Sequence, residues 1–325
     1  MKVVIPDDYQ SAVRSLSCFD SMAAHEVTVF NDTQTAIDVL AERFADAEAL
    51  VLIRERTPVG EALLARLPRL RLISQTGRGA THVDVAACTR RGIAVAVGGG
   101  SPYSTAELTW GLVLSAMRRI PHEVARLRAG QWQTSLGRAL HGRTLGVFGL
   151  GKIGSLVAGY GKAFGMRVLV WGRDGSLERA REAGYEVAAS QAALFEQADV
   201  LSLHLRLVGD TRGIVTRDDL ARMKTDAVLV NTSRAELIES GALVAALAAG
   251  RPGFAAVDVY EAEPALGHPL LAMDNAICTP HLGYVERDSY ELYFSEAFDN
   301  VNAFARGESR GLLNPEVLTA KPASS

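Results

Sequence analysis

Three polar residues stand where otherwise apolar segments end: Arg234 in Asn231-Thr232-Ser233-Arg234, Glu263 in Asp258-Val259-Tyr260-Glu261-Ala262-Glu263-Pro264, and His281 in Thr279-Pro280-His281-Leu282-Gly283. Histidine exchanges a proton near neutral pH, its reference pKa being about 6.5. A neighbouring carboxylate fixes its tautomer and favours the protonated ring. Arginine clamps a carboxylate bidentately and can polarise the carbonyl beside it. These three types are what a 2-hydroxy acid–2-oxo acid interconversion needs, because hydride leaves a carbinol carbon only as its hydroxyl proton is removed. Glu261 competes with Glu263. His204 and His268 compete with His281, although His204 lies in a Leu-His-Leu segment and His268 in a loop that reads as structural.

A second group lies upstream. Gly149-Leu150-Gly151-Lys152-Ile153-Gly154 follows directly on the strand-like residues 145–148. Ile153, Val157, Tyr160 and Phe164 then recur at helical spacing, before a second strand-like run ending at Trp171. In such a frame the first glycine permits the tight turn and the second lets a pyrophosphate approach the backbone. The third allows close packing of helix on strand. N–H groups at the helix start hold phosphates without a cationic side chain. The pattern predicts a dinucleotide site. Where NAD sites usually place an acid at the end of the second strand, this chain has Gly172, then Arg173 and Asp174. An arginine beside a missing carboxylate favours a 2′-phosphate. The expected cofactor is therefore NAD(P)(H), leaning to NADPH, although Asp174 could restore NAD.

The elements that must position these groups alternate along the chain. Strand-like runs occupy residues 3–5, 27–30, 50–53, 70–73 and 93–97, with amphipathic stretches at 35–44 and 83–91. Gly98-Gly99-Gly100-Ser101-Pro102 can continue neither a strand nor a helix and reads as a hinge. A long apolar helix over about 105–118 leads through a polar connection containing Trp132 to a second set of strands. These occupy 145–148, 168–171, 200–205, 228–230, 255–259 and 276–279. Thr216-Arg217-Asp218-Asp219 resembles a capping box, and Gly250 fits the position just past a helix end. Beyond His281 the chain reads as helix through Phe304, followed by a tail, LTAKPASS, expected to fray. Such alternation predicts an α/β protein with parallel sheets covered on both faces. Ligands then sit beyond the carboxyl ends of the strands, where Arg234, Glu263 and His281 fall.

Composition narrows the class. The 325 residues suggest about two domains, and 48% hydrophobic with 22% charged residues suits a chain with sizeable cores. A net charge of −3 advertises no nucleic-acid or anionic-membrane surface. The longest apolar run, residues 242–249, falls far short of a membrane span. The N-terminus MKVVIPDDYQ reads as a strand and turn rather than a signal. Three scattered cysteines (Cys18, Cys88 and Cys278) fit free thiols in a reducing compartment, and hence a cytoplasmic protein. No metal site is expected.

Taken in order, GLGKIG at 149–154, LSLHLRL from Leu201, VNTSRAELIE from Val230, VDVYEAEP from Val257, TPHLG from Thr279 and TGRGATHVD from Thr76 make the chain resemble the D-isomer-specific 2-hydroxyacid dehydrogenase family. The resemblance spans nearly the whole chain. It implies two doubly wound parallel-sheet domains: a Rossmann dinucleotide-binding domain, residues 101–287, inserted into a flavodoxin-like substrate domain made of residues 1–100 and 288–325. It implies a homodimer through the cofactor domains. Carried across position by position, Arg234 would hold the substrate carboxylate, with His281 as acid/base and Glu263, which alone precedes the proline, as its partner. Asp258, Thr105 and the backbone around Thr232, Ser233 and Gly283 would line the nicotinamide. Lys152 and Ile153 belong to the phosphate turn, and His204, Leu205, Arg206 and Thr211 to a loop near the adenosine ribose. Arg78 and Gly79 would offer backbone N–H groups to the substrate carboxylate. Many relatives carry proline at the position of Arg206, so a second arginine here strengthens the NADPH expectation. Glutamate rather than glutamine at 263 argues against a formate-dehydrogenase-like enzyme.

For the substrate, Arg54-Glu55-Arg56-Thr57 follows the third strand, and an arginine matching Arg54 meets the phosphate in 3-phosphoglycerate-using relatives. Two arginines could hold a phosphate or a second carboxylate, or simply pair with Glu55. The long C-terminal extension of many serine-pathway relatives is missing from this chain, which leaves small 2-oxo acids such as glyoxylate, hydroxypyruvate or pyruvate in view. The main expectation is a 2-oxo acid reductase. Its rivals are an NAD-dependent 3-phosphoglycerate dehydrogenase and, from another class, a dinucleotide-sensing corepressor.

Overall fold

A computed structural model describes residues 1–318; the tail from 319 onward, expected to fray, lies outside the described residues. The described chain divides into two compact units, one of residues 1–101 with 286–318 and one of residues 102–285.

In the first unit, β1 (Lys2–Ile5), β2 (Glu26–Val29), β3 (Ala49–Leu52), β4 (Leu72–Gln75) and β5 (Ala94–Val97) pair in parallel in the order β2-β1-β3-β4-β5. That is the flavodoxin-like order. Every residue of β3 and β4 is buried, as a parallel sheet covered on both faces demands. One face carries Phe44, Leu63, Leu64 and Leu67. On the other lies the helix Arg287–Ala305, where the Ser74 hydroxyl donates to the Ala297 carbonyl at 2.9 Å. This helix starts later than the sequence suggests. Its N-cap is Glu286, whose carboxylate accepts from Asp288 and Ser289 N–H at 2.7 Å each, because the preceding residues fold back onto Asp258 instead.

The second unit holds β6 (Thr144–Phe148), β7 (Arg167–Trp171), β8 (Glu186–Val187), β9 (Val200–Leu203), β10 (Val228–Asn231), β11 (Phe254–Val257) and β12 (Ala276–Cys278). Their order is β12-β11-β10-β9-β6-β7-β8, all parallel. Counted within the unit, this is the 3-2-1-4-5-6 dinucleotide-binding order extended by one strand. Strand side chains alternate between two cores. Phe148, Leu169, Leu201, Leu229 and Val257 enter one, and Val147, Val170, Val200, Val230 and Ala256 the other. Each fully buried Phe or Leu contributes about 1.5–3 kcal/mol. The capping box at Thr216 forms as its sequence predicts, with Asp219 accepting from Thr216 N–H at 3.0 Å. Part of the connection read as polar is a helix, Ile120–Arg128, set off from Tyr103–Arg118 by left-handed Arg119.

Candidate active site

The glycine turn is built by what it leaves out. Gly149 has φ +96°, and a Cβ there would stand 2.8 Å from the His204 carbonyl oxygen. A Cβ on Gly154 would collide with the Gly149 carbonyl. Around Gly151, by contrast, a Cβ would meet nothing within 4 Å. Gly151 caps the helix Lys152–Ala163 without a side-chain hydrogen bond, and no acid occupies the first turn. Open space in front of unspent N–H groups fits a pyrophosphate. Two residues the motif does not include lock this shape: Ser176 Oγ accepts Leu150 N–H at 3.1 Å, and Arg179 Nε donates to the Leu150 carbonyl at 2.7 Å. They lie 26 and 29 residues downstream, so no local spacing marks them.

Past β7, the Arg173 guanidinium stands 3.9 Å from the Asp210 carboxylate, both well exposed. Asp174 begins the helix Asp174–Glu182 and is exposed, as is Arg206. Thr211, expected to meet the cofactor, is buried, and its hydroxyl is spent on the loop: it donates to the Arg206 carbonyl at 2.7 Å and accepts Val208 N–H at 2.8 Å. It shapes that loop. The Leu205 carbonyl accepts from Ser233 Oγ at 2.7 Å. His204 is hydrogen-bonded through Nε2 to Ser202 Oγ at 2.9 Å, and burial lowers its pKa to about 4, which leaves the ring neutral.

At the ends of β10, β11 and β12 the three polar residues converge. His281 Nδ1 lies 2.7 Å from Glu263 Oε2. Burial works to raise the Glu263 pKa, but the hydrogen bond and charge of His281, the Tyr260 N–H and the charge of Arg234 bring it below its ordinary value. Arg234 Nη1 donates to the Ser233 carbonyl at 2.7 Å. His281 is left-handed, φ +52°, a conformation costing a non-glycine residue about 1–2 kcal/mol, so its neighbours must hold it. Asp258, fully buried, does much of this: its carboxylate accepts from Thr279 Oγ1 at 2.6 Å, Leu282 N–H at 2.7 Å and Gly283 N–H at 2.9 Å. Burial holds its carboxyl above the ordinary range, with these donors opposing the rise. Thr105 Oγ1 donates to the Gly283 carbonyl at 2.8 Å, and the Thr109 and Thr232 hydroxyls share a hydrogen bond of 2.6 Å. The rivals pair with each other instead: His268 Nε2 lies 3.2 Å from Glu261 Oε2.

The first unit places Arg54 directly after β3, also left-handed at φ +54°. Its N–H donates to Thr76 Oγ1 at 2.9 Å, and its carbonyl accepts from Gln75 Nε2 at 2.8 Å. The guanidinium lies 5.6 Å from the Tyr293 ring centre and packs against Gly77. Arg78 is exposed, and Gly79 faces the Glu55 carboxylate.

A turn open to a pyrophosphate, in the same sheet as a histidine–carboxylate pair, is the equipment of a nicotinamide-dependent oxidoreductase. Residues 110–283 match the family described as D-isomer specific 2-hydroxyacid dehydrogenase, NAD binding domain. The chain is 37% identical over 297 residues to a glyoxylate reductase of Aeropyrum pernix, covering 87% of this chain and 88% of that one. It is 38% identical over 272 residues to a D-3-phosphoglycerate dehydrogenase of Methanocaldococcus jannaschii, covering 83% of this chain but 52% of that longer protein. The crystal structure of a phosphoglycerate oxidoreductase from Vibrio cholerae o395 superposes with a TM-score of 0.92 at 55% identity, covering 94% and 99% of the two chains. The chain belongs to the D-isomer specific 2-hydroxyacid dehydrogenase family. It is an oxidoreductase acting on CH–OH groups with a nicotinamide dinucleotide. Among the described residues no helix is long and apolar enough to cross a membrane.

Proposed function

We propose that this enzyme reduces a small 2-oxo acid of the glyoxylate or hydroxypyruvate type to the D-2-hydroxy acid, preferring NADPH. The observation that carries the reading is the 2.7 Å contact between His281 Nδ1 and Glu263 Oε2. It commits Nδ1 to the carboxylate and leaves Nε2 for the substrate oxygen. Arg234 would hold the substrate carboxylate, and Glu263, its pKa held below the ordinary value, would stabilise the protonated ring. The bound nicotinamide supplies the hydride. His281 donates the Nε2 proton to the oxygen that becomes the hydroxyl, and takes it back in the oxidation direction. Thr105, Thr232 and the residues around Gly283 would line the nicotinamide, with Asp258 ordering that wall. Arg173 and Arg206, exposed beyond β7 and β9, favour a 2′-phosphate.

The first unit is read as the substrate domain, with Arg78 and Gly79 contacting the carboxylate, and the second as the cofactor domain. A homodimer through the second unit suits its exposed apolar residues Ile120, Val124, Leu127, Trp132 and Leu136. Free, scattered cysteines suit a cytoplasmic setting. One observation favours a second reading, an NAD-dependent 3-phosphoglycerate dehydrogenase: Arg54 is held in a left-handed conformation at a strand end, as ligand-binding residues often are. Rates of nicotinamide oxidation with NADPH or NADH and a panel of glyoxylate, hydroxypyruvate, phosphohydroxypyruvate, pyruvate and phenylpyruvate separate the two. Fastest turnover of an unphosphorylated acid with NADPH is expected. Preference for phosphohydroxypyruvate with NADH would replace the first reading by the second, and dinucleotide binding without turnover would point to a sensor.

A further inference from the structure

Tyr260 touches both halves of the His281–Glu263 pair. Its backbone N–H donates to Glu263 Oε1 at 3.1 Å, so the carboxylate is held at one oxygen while the other meets His281. Its hydroxyl donates to the Thr279 carbonyl at 3.0 Å, and that same carbonyl accepts the His281 N–H at 3.0 Å. The Thr279 carbonyl is thus the hinge point of the turn that puts His281 in its left-handed conformation. Asp258 grips the same turn through Thr279 Oγ1 and the Leu282 and Gly283 N–H groups. The loop after β11 therefore crosses to the loop after β12 through Asp258 and Tyr260, on either side of the Glu263–His281 contact in the hydrogen-bond network.

The hydroxyl is fitted for this task. Tyr260 is buried, and burial, followed by its neighbour Cys278, pushes its pKa well above the ordinary phenol value, so it remains a donor throughout the working range. Its ring cannot swing freely either. It packs against His268 with centroids 5.2 Å apart. His268 is fixed at both nitrogens, accepting Leu270 N–H at Nδ1 and bonding Glu261 at Nε2. The groups around the pair are accordingly Asp258, Glu261, Cys278 and His268, with Arg234 near Glu263 and the Tyr284 ring edge-on to His281.

We propose that Tyr260 is a positioning residue for proton transfer: its hydroxyl holds the Thr279 carbonyl, and through it the His281 turn, so that the imidazole stays in register with Glu263. The inference rests on the reading of His281 and Glu263 as the acid/base pair. If Tyr260 only fills space, phenylalanine serves equally well, since it keeps the ring and its contact with His268.

Tyr260→Phe therefore decides the matter. Loss of one hydrogen bond that orders the reacting group should lower kcat for 2-oxo acid reduction about tenfold. KM and the dinucleotide Kd should stay within about twofold, because no binding group is removed. In the cofactor-free protein with 13C-labelled histidine, the His281 ring signal, assigned by its absence in His281→Ala, should broaden or split as the turn samples a second conformation. A parental kcat or an unchanged His281 signal overturns the proposal, as do equal losses in kcat and dinucleotide affinity, which would mean general damage. Should His281→Ala keep its rate while the signal still broadens in Tyr260→Phe, the acid/base reading fails and the hold on the turn stands.

Discussion

At residues 149–154 the working atoms are backbone N–H groups, and the sequence serves them by keeping side chains away. A Cβ would strike the His204 carbonyl at Gly149 and the Gly149 carbonyl at Gly154. At residues 279–283, in the same sheet, the backbone is equally contorted, but the solution is reversed. Asp258, Tyr260 and Glu263 reach across from the neighbouring strand end to hold a histidine in a conformation it would not choose alone. The first device, on the proposed reading, would hold a ligand whose phosphates keep one place. The second, on the proposed reading, would keep the imidazole aligned through a proton transfer. A site made of absent side chains breaks when an atom is added; a site made of crossing hydrogen bonds breaks when one is removed.

The largest effect outside the acid/base pair is expected from adding atoms. Gly154→Val should raise the dinucleotide Kd at least about 100-fold, close to 3 kcal/mol, measured by calorimetric titration. A parental Kd would mean the turn is not the cradle. Arg234→Lys keeps the charge but loses the fork, and should raise KM for the 2-oxo acid about 10–100-fold while sparing dinucleotide affinity. Loss of cofactor binding instead would place Arg234 on the wrong ligand. Arg173→Ala should weaken NADPH about tenfold and NADH less than twofold, the pair being exposed and screened. Equal losses would remove Arg173 from the choice of cofactor.

The last expected effect concerns pH and stability rather than binding. His204 has a folded-state pKa depressed to about 4 against about 6.5 in the unfolded chain. Between those values the unfolded state binds more protons, so stability falls as pH falls, starting below about 6.5 and finishing near 4. Discounted for partial exposure, the loss is about 2 kcal/mol. Urea unfolding at pH 7 and 4.5 should show His204→Gln losing less than the parent. His82, similarly depressed by burial, leaves part of the slope in place. Identical slopes would show that His204 is not held neutral.

How much could be read beforehand follows the same division. The glycine turn was legible because its function lies in consecutive residues, and the strands because four or five apolar, often β-branched residues run together between turns. Boundaries moved by one or two residues. β8 escaped because two residues, an exposed Glu186 and a half-buried Val187, carry no pattern. The helix Ile120–Arg128 escaped because it buries no side chain, so nothing in its spacing points to a core, and Pro121 sits where a helix start tolerates it. His281, Glu263 and Arg234 could be named from residue type and motif, but not the bonds that hold them. Ser176 and Arg179 on the phosphate turn, and the Tyr260 hydroxyl on Thr279, act across 19–29 residues and exist only once the strands are side by side. Thr211 shows the converse: the resemblance implied a place in the loop near the cofactor, and its buried hydroxyl bonds within that loop.

The central claim is that His281 moves the proton. Its most direct test is kcat for 2-oxo acid reduction by His281→Ala beside the parent, with dinucleotide Kd measured on the same preparations. A fall in kcat of about 1,000-fold with Kd unchanged within about threefold is the expected result. A variant that turns over at near the parental rate would contradict the account, and the proton donor would have to be sought elsewhere in the molecule.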